Sequence, residues 1–532
     1  MAKIGERFVA RWTPRGAGLL SVEQGEGGYL GVDYADGVDT RWEIETTLGP
    51  LLNTLSCAAA GGTVANVNGM AVAPITMQAA GPFLYAIRGT KWAKVAMTGG
   101  ASALTLSSDD TEGALGEAAT GILHVKNAAG TEEILITMDN TIARIITAVG
   151  AGATDTDIAQ TGNYKWTVAG FGDSDAAVQV VLLAGRGTGT PQNLIHQVAL
   201  SGSTVLSTAT PTLRATIAGP PLVFKSIAMD GDKILIGTDR GPIYLNNQSQ
   251  AFRPLIGWLA PDSGNCTPMA LWATGLGTSV IIALKRALRW SKNVINGGSF
   301  GPETYPENTS PVSGTCTAFA QSDRWGYFAF YNTKDDITYL CAARDRDLQD
   351  WQRGRAVSYF PLMTLGAGIE CHSALYTGTE GNTARTLGMV VLGLDSNLGY
   401  FDEGRGDRFY EDTAYPYAAL GTLYLTEMRR QADFYKDINF FIVETENCTD
   451  DETITLSVTC TDRFGTSSTT PIGGAIKGNG VHFLQVKGVT ELTQARFVKP
   501  QIAFARGATT TNSPRVKGDI LMDYTLQAIP RG

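Results

Sequence analysis

The sequence predicts an all-β protein: a β-propeller of about seven blades, with a range of six to eight, followed by a β-sandwich. Three observations predict it. A β-hairpin unit recurs from near Leu51 to Phe401, helical periodicity is nearly absent, and apolar and polar residues alternate in short runs after Leu425. Internal repetition of this kind is typical of solenoids and propellers, because one repeat cannot bury its apolar face alone.

Each repeat consists of an apolar strand, a tight turn and a second strand rich in aromatic or aliphatic residues. We find about seven copies, spaced by roughly 45 to 60 residues, a period typical of repeat folds. Further short strands flank several copies, so four strands per repeat fit the blade of a propeller. The copies are Leu84–Val95, Glu133–Ile146, Ala177–Gln197, Lys233–Leu245, Ser279–Ser291, Gly326–Ala342 and Leu387–Phe401.

Changes in sequence character suggest three parts. Residues 1–50 are predicted to be an N-terminal arm or extended segment, 51–424 the propeller, and 425–532 the C-terminal sandwich. Within the first part, Gly16–Asp39 fits either an arm on a neighbouring surface or a loop that packs on its own domain. The segment Leu423–Tyr435 has some helical spacing, and a strand followed by a linker explains it equally well.

The predicted sandwich contains five strands separated by turns. In one of them Ile454, Leu456 and Val458 alternate with polar residues, which gives a strand one buried face and one wet face. The five predicted strands are Asp437–Glu444, Glu452–Cys460, Val481–Val486, Ala495–Phe504 and Lys517–Leu526.

Composition excludes several classes of protein. Apolar residues make up 43% and charged residues 17%, which does not suit disorder. A net charge of −9 argues against a large nucleic-acid-binding face. One basic cluster is interleaved with acidic residues and is predicted to be a solvated loop; it comprises Arg344, Arg346, Arg353 and Arg355 among Asp345, Asp347 and Asp350.

Cysteine spacing and hydropathy indicate a soluble protein made in the cytoplasm. The seven cysteines form no CxxC pair and are predicted to be mostly buried free thiols. The longest apolar run, Gly277–Ala287, is too short to span a bilayer and contains Lys285. No membrane anchor is therefore expected.

No group of residues predicts catalysis. The four histidines, His124, His196, His372 and His482, are far apart in sequence and fit no metal-binding spacing. Glu370–Cys371–His372 is the triplet that most resembles an enzyme site. However, neighbouring strand residues point to opposite faces, so Cys371 and His372 are not expected to pair as nucleophile and base.

Other polar motifs are better explained as turns or packing. Gly185–Gly189 follows an apolar strand, but no helix follows it to bind a phosphate. Asp230–Gly231–Asp232 lacks the further acidic ligands of a calcium site. The acidic pairs Asp335/Asp336 and Asp450/Asp451 lie in turn-like contexts, and the sialidase repeat SxDxGxTW is missing.

Trp92, Trp290, Trp325 and Trp351 are assigned to packing between blades. We therefore predict no catalytic, cofactor-binding or metal-binding residues, and no enzyme.

The C-terminal region carries a recurring set of short motifs. Its opening strand fits the pattern "xFxxIxVxT" loosely, with Phe434, Ile438 and Val443. The glycines Gly473, Gly474 and Gly488 follow, and the region closes on "TxSPxIxxIxLxY", which Thr511, Ser513, Pro514 and Ile520–Tyr524 fit with one extra residue before Ile520. With these motifs the region resembles the β-sandwich that follows propeller-like repeats in virion proteins of tailed bacteriophages.

This resemblance implies a structural tail component of the virion: a nozzle, hub or tail-tip protein in a ring around the DNA exit path. The implied partners are other virion tail proteins and copies of the chain itself, with a hexamer favoured. DNA would pass without specific binding, which a net-negative protein would assist by repelling phosphates. Two alternatives remain: a propeller that binds a receptor or glycan, and a propeller enzyme that degrades a polysaccharide with two carboxylates.

Overall fold

The computed structural model describes most of the chain. The described residues are 7–14, 32–41, 45–55, 75–81, 83–115, 117–138, 142–147, 154–159, 164–173, 179–187, 192–200, 206, 209–231, 233–246, 251–274, 277–285, 287–292, 295–302, 311–322, 325–344, 359–377, 388–395, 397–403, 415–429, 434–462, 465–486 and 495–528, apart from 101–102. Within these ranges the regular structure consists of strands.

Five short strands come first. They are β1 (Arg7–Trp12), β2 (Val32–Asp36), β3 (Val38–Asp39), β4 (Thr46–Leu48) and β5 (Asn53–Leu55).

Seven antiparallel four-stranded sheets follow, and we call them blades 1 to 7 in chain order. Blade 1 contains β6 (Thr76–Ala80), β7 (Phe83–Arg88), β8 (Lys91–Gly100) and β9 (Ala103–Ala114). Blade 2 contains β10 (Ala119–Lys126), β11 (Glu132–Met138), β12 (Ile142–Thr147) and β13 (Thr154–Ala159). Blade 3 contains β14 (Tyr164–Asp173), β15 (Gln179–Gly187), β16 (Asn193–Ala199) and β17 (Thr212–Ile217).

Blade 4 contains β18 (Phe224–Asp230), β19 (Lys233–Thr238), β20 (Gly241–Asn246) and β21 (Ala251–Pro254). Blade 5 contains β22 (Met269–Thr274), β23 (Gly277–Leu284), β24 (Ala287–Lys292) and β25 (Ile295–Ser299). Blade 6 contains β26 (Thr315–Gln321), β27 (Trp325–Asn332), β28 (Ile337–Arg344) and β29 (Tyr359–Thr364). Blade 7 contains β30 (Cys371–Thr377), β31 (Met389–Leu394), β32 (Leu398–Asp402) and, from the N-terminal region, β5.

The blades form a closed propeller. Their first strands contact one another in the circular order β6, β10, β14, β18, β22, β26, β30 and back to β6. The all-β propeller fold and the blade number of about seven are therefore confirmed. Each predicted hairpin is the pair of middle strands of one blade.

The middle strands look continuously apolar in sequence because both of their faces are buried between blades. In β15, Val180, Leu182 and Ala184 pack in a cluster with blade 4, whereas Val181 and Leu183 pack in a cluster with blade 2. Each of the seven hydrophobic clusters described in the propeller lies between two adjacent blades in this way. Packing between blades is thus the main source of apolar burial in the propeller.

Strand β5 closes the ring. Leu55, Thr54 and Asn53 pair with Leu398, Gly399 and Tyr400, so a segment that precedes blade 1 in sequence supplies the outer strand of blade 7. Hydrogen bonds between the two ends of the repeat array thereby replace a covalent closure of the ring.

The sandwich uses both ends of the chain. Its C-terminal strands are β33 (Leu420–Leu425), β34 (Phe434–Glu446), β35 (Thr453–Thr461), β36 (Ser467–Ile476), β37 (Gly480–Gln485), β38 (Phe497–Ala505), β39 (Arg515–Val516) and β40 (Ile520–Ala528). One sheet has the order β1-β40-β34-β39-β4-β3, with β37 also pairing β34, and the other has the order β2-β33-β38-β35-β36. The alternation predicted for Thr453–Val458 is present, with Ile454, Leu456 and Val458 buried.

The described N-terminal strands therefore differ from the arm that the sequence suggested. They are sandwich strands: β1 pairs with β40 from Arg7↔Thr525 to Trp12↔Ile520, and β2 pairs with β33. Leu420–Leu425 is also a sandwich strand, although the sequence placed residues up to 424 in the propeller. In Leu423–Tyr435, the described residues begin in β33 and end in β34, as the strand interpretation predicted. The reason is non-local pairing, since the two ends of the chain complete one hydrophobic core. Residues 15–31 of the expected arm lie outside the described residues.

Two chain segments join the sandwich to the propeller, and they run side by side. Leu51 N donates to Pro416 O at 2.9 Å, and Ala418 N donates to Gly49 O at 2.9 Å. Strand β29 of blade 6 lies against β2 and β3. There Gly37 N donates to Leu362 O at 2.9 Å, and Thr364 N donates to an Asp36 carboxylate oxygen at 2.8 Å.

Candidate functional site

The outer face of the seven-stranded sheet carries exposed apolar side chains, and we call it the apolar face. Val9 on β1, and Val481 and Phe483 on β37, are 63%, 56% and 64% exposed. The Phe440 ring on β34 lies 6.0 Å from the Phe483 ring, centroid to centroid. Strand alternation turns these residues outward, because their neighbours Ala10 and Leu484 pack on the sandwich core. The face spans four adjacent strands, β1, β40, β34 and β37.

A paired carboxylate lies in the middle of this apolar face. Asp523 is opposite both Val9 and Phe440 in the sheet register. It accepts hydrogen bonds from Arg7 Nε at 2.5 Å and from Asn439 Nδ2 at 2.6 Å. The Arg7 guanidinium also lies over the Phe440 ring, at 5.4 Å from the centroid. These contacts neutralise the acid, so the face combines apolar surface with a satisfied polar centre.

Strand β37 also borders the face with a backbone edge. Its six residues pair with β34, from Phe440↔Gln485 to Thr445↔Gly480, and no second partner strand is recorded among the described residues. The unpaired edge of such a strand carries backbone N–H and C=O groups that can pair with another chain. An edge of this kind beside exposed Val481 and Phe483 is typical of an interaction surface.

A buried cluster fixes the propeller to the sandwich. The Arg41 side chain, which is 0% exposed, donates to both Asp39 carboxylate oxygens at 2.8 to 3.1 Å. Its Nη1 donates to the Tyr327 hydroxyl in blade 6 at 3.0 Å. That hydroxyl donates to Glu403 Oε1 at 2.9 Å. Burial, followed by the charge of Glu403, raises the pKa of Tyr327 well above its ordinary value, so the phenol stays protonated.

Aromatic rings cover this cluster. The Arg41 guanidinium lies 5.0 Å from the Trp325 ring centroid, and the Arg344 guanidinium lies 5.2 Å from the same ring. Arg344 also donates to the Arg41 carbonyl oxygen. The sequence assigned Arg344 to a solvated loop, and the structure places it in this interface instead, because aromatic faces attract a guanidinium. The other members of that basic and acidic cluster lie outside the described residues.

The Glu370–Cys371–His372 triplet shows no nucleophile–base pair. Cys371 is fully buried, its thiol donates to Ser373 O at 3.4 Å, and burial raises its pKa to about 12. His372 instead contacts Asp395, with 2.7 Å between Nε2 and Oδ1, and its Nδ1 lies 3.8 Å from Glu370. Burial also raises the pKa of Glu370. The triplet thus separates a protonated thiol from a histidine held between two carboxylates.

The other motifs singled out in the sequence lie in turns or in cores. Asp230 accepts a hydrogen bond from Ser291 Oγ at 2.6 Å, and Gly231 has φ +66° in the turn that follows β18. Asp335 and Asp336 lie in the turn after β27, and Asp450 and Asp451 lie between β34 and β35.

The described tryptophans of this group pack between blades. Trp92 and Trp325 are buried in hydrophobic clusters there, and Trp290 packs at the edge of another such cluster. Thr188 and Gly189 of the glycine-rich turn, together with Asp232 and Trp351, lie outside the described residues.

The four histidines lie in four different strands, β10, β16, β30 and β37. His196 contacts Trp166 in blade 3, with 3.4 Å between its Nδ1 and the indole nitrogen. His482 contacts Gly478 O at 2.9 Å. His124 lies at the edge of a cavity. Across the described ranges no group of three or more His, Cys, Asp or Glu side chains is arranged to hold a metal ion.

That cavity was not predicted from the sequence, because its walls come from three blades. It has a volume of about 690 Å³ and lies where blades 1, 2 and 3 meet. Its lining consists of Gln78, His124, Lys126, Asn127, Ala128, Phe171, Gln179 and Leu200. The volume falls within the range of roughly 300–1,000 Å³ that is usual for small-molecule sites.

Among the described residues, no helix is long and apolar enough to cross a bilayer.

Comparison with known proteins found no matching family model and no matching curated protein. Among solved structures, the chain is similar to BBS1N, solved in complex with ARL6DN, with 8% identity and a TM-score of 0.40 over 67% of this chain and 96% of that chain. It is also similar to the Dos1 propeller, with 9% identity and a TM-score of 0.35 over 75% and 96% of the two chains. The AfRom2 CNH domain has 12% identity and a TM-score of 0.35 over 66% and 98%. At these identities the similarity concerns the fold and extends to no function.

Proposed function

We propose that this protein is a non-catalytic structural component of a bacteriophage tail, of the nozzle, hub or tail-tip type. In this role it acts by assembling with copies of itself and with other virion tail proteins. The C-terminal sequence resemblance supports the virion assignment. The β-propeller and sandwich supply a rigid body, because the Arg41 cluster and the paired linker segments join them at several points.

The observation that carries the assembly role is the apolar face. Soluble monomers rarely expose large contiguous apolar patches, and such patches are typical of protein–protein contacts. Val9, Val481 and Phe483 expose more than half of their surface on one face of one sheet. We assign this face to a neighbouring copy of the same chain. Since each copy of a closed ring uses two different surfaces, the face would meet another part of the next subunit.

The proposed ring is a hexamer around the DNA exit path, and the mature protein resides in the virion tail. The net charge of −9 favours passage of DNA without adhesion, because like charges repel. A strongly positive inner wall in the assembled ring would contradict this part of the proposal.

The assembly role can be tested by measuring mass in solution. We expect the wild-type protein to form closed oligomers in mass photometry and analytical ultracentrifugation. The double variant Val481→Asp/Phe483→Asp should shift the population to monomers, because two carboxylates would be desolvated in the contact. Leu420→Asp is the matched control, since Leu420 is 71% exposed but lies on the other sheet. Its oligomers should persist.

Two results would overturn the proposal in separate ways. A wild-type protein that stays monomeric at micromolar concentration, or oligomers that persist in Val481→Asp/Phe483→Asp, would reject the apolar face as a contact between copies. Mass spectrometry of purified particles tests the virion assignment, which fails if the protein is absent from them.

A further inference from the structure

The cavity between blades 1, 2 and 3 has the chemistry of a binding site that assembly does not require. Its lining residues come from the inner strands β6, β10 and β14 and from the chain around β15 and β16. The hairpin turn after β10 forms one wall. In that turn Asn127 Oδ1 accepts a hydrogen bond from Thr131 N at 2.8 Å, and Gly130 N donates to Asn127 O at 3.0 Å. These bonds hold the wall in a fixed shape.

The charges beside the cavity cancel. Lys126 Nζ contacts Glu132 Oε1 at 2.9 Å, and the hydrogen bond from Lys126 lowers the pKa of that carboxyl. Burial lowers the pKa of His124, so its ring is neutral at pH 7. A cation paired with an anion and a neutral imidazole leave no net charge to select an ionic ligand.

The remaining lining groups are amides and apolar surfaces. The side chains of Gln78 and Gln179 can each donate and accept hydrogen bonds. Phe171 offers a half-buried ring and Leu200 a buried aliphatic surface. His124 Nε2 is buried, and its contact with Glu132 measures 3.6 Å, which is beyond hydrogen-bonding distance. Nε2 therefore has no exposed surface and lies next to the Glu132 carboxylate, so His124 lines the cavity with the rest of its ring.

We propose that this cavity binds a neutral oligosaccharide. Sugar hydroxyls both donate and accept, which matches the glutamine amides, and the C–H face of a pyranose packs against an aromatic ring such as Phe171. A neutral sugar also suits a lining without net charge. This role goes beyond the assembly function and is independent of it, because the cavity lies in the propeller whereas the apolar face lies in the sandwich.

The experiment is saturation-transfer NMR and calorimetry with neutral tri- and tetrasaccharides of glucose, galactose and N-acetylglucosamine, and with sialylated and uronic-acid oligosaccharides as the acidic probes. We expect at least one neutral probe to bind with a Kd near or below about 1 mM. The variants Gln78→Ala/Gln179→Ala and Phe171→Leu should each weaken that binding at least about tenfold, which corresponds to about 1.4 kcal/mol.

The matched control is Gln192→Ala. Gln192 is an exposed glutamine of blade 3, the blade that contains Gln179. It comes directly before β16 and does not line the cavity. Binding should be unchanged in it. The proposal is overturned if no neutral probe binds at about 10 mM, if only acidic probes bind, or if the control weakens binding as much as the cavity variants. Oligomer mass is recorded on the same samples, so failure of sugar binding and failure of assembly are read separately.

Discussion

The buried guanidinium of Arg41 allows the attachment of the propeller to the sandwich to be measured. Replacing it with methionine keeps much of the side-chain volume but removes the charge. Asp39, which is 1% exposed, then remains buried without its partner, and Tyr327 loses a hydrogen-bond donor. Removing one member of a buried ion pair costs about 3–5 kcal/mol, because the other charge stays desolvated.

This loss of stability should make the interface between the propeller and the sandwich open more often. The amides of Gly37 and Thr364 cross the interface, to Leu362 O and to Asp36, so their hydrogen exchange reports the opening. A loss of about 3–5 kcal/mol predicts exchange that is faster by about a hundredfold to several thousandfold. The measurement is hydrogen–deuterium exchange with mass spectrometry on peptides that contain these two amides.

Two further variants make the test strict. Asp39→Asn combined with Arg41→Met should exchange more slowly than Arg41→Met alone, because no uncompensated charge remains. Arg429→Met is the control, since Arg429 pairs with Glu427 on the surface, where such pairs contribute about 1 kcal/mol or less. An acceleration below about tenfold in Arg41→Met, or a double variant as fast as the single one, would refute the reasoning.

Three other predictions concern single residues. Burial lowers the pKa of Lys436 to about 8, so the unfolded chain binds more protons between about pH 8 and 10.5, and stability should rise with pH in that window. Lys436→Met should remove this rise. At pH 7 it should be more stable by less than about 3 kcal/mol, because it also loses the hydrogen bond from Lys436 Nζ to Arg496 O. Urea unfolding at pH 7 and at about pH 10 measures the difference. Gly37 has φ +64°, and a Cβ there would lie 2.6 Å from Leu420 O, whereas one at Gly81, with φ +55°, would meet nothing within 4 Å. Gly37→Ala should therefore lower the melting temperature more than Gly81→Ala, and equal losses would contradict the clash. The Cys371 thiol should resist Ellman's reagent in the native protein at pH 7.5 and react in urea; rapid native labelling would contradict its burial.

The propeller could be predicted from sequence because each blade hides its middle strands from water on both sides. Runs such as Val180–Ala184 are apolar throughout for that reason, and tight turns separate them at a regular period. The outer strand of blade 7 gave no such signal. It is only three residues long, Asn53–Leu55, and no pattern within those three residues reveals that their partner is β32.

The sandwich could be predicted in part, from alternation rather than from continuous apolar runs. Strand β35 alternates clearly because one of its faces is wet, whereas β1 and β2 pair with strands several hundred residues later. Pairing between strands so far apart in sequence cannot be recognised from the pattern of neighbouring residues. Val481 and Phe483 are apolar although they face outward. From hydropathy alone they look like core residues, so the sequence did not reveal the apolar face.

The cavity could not be predicted from the sequence for a different reason. Gln78, His124 and Phe171 belong to three blades and are separated by some fifty residues each, so only the circular order of the inner strands brings them together. His124 lies in strand β10, but its position in a strand does not tell which residues of neighbouring blades face it.

The pairing of β1 with β40 has a consequence for the order of events during synthesis. Arg7 and Asp523, which are joined in the sandwich, are 516 positions apart in the chain. At translation rates of roughly 5–20 residues per second, β1 waits about half a minute to two minutes for its partner. All residues of the propeller leave the ribosome within that interval, so its blades can close while the first strand is still unpaired. The sandwich is thus the last part to form, and a chain that stops before β40 would carry a finished propeller beside an incomplete, apolar and aggregation-prone sheet.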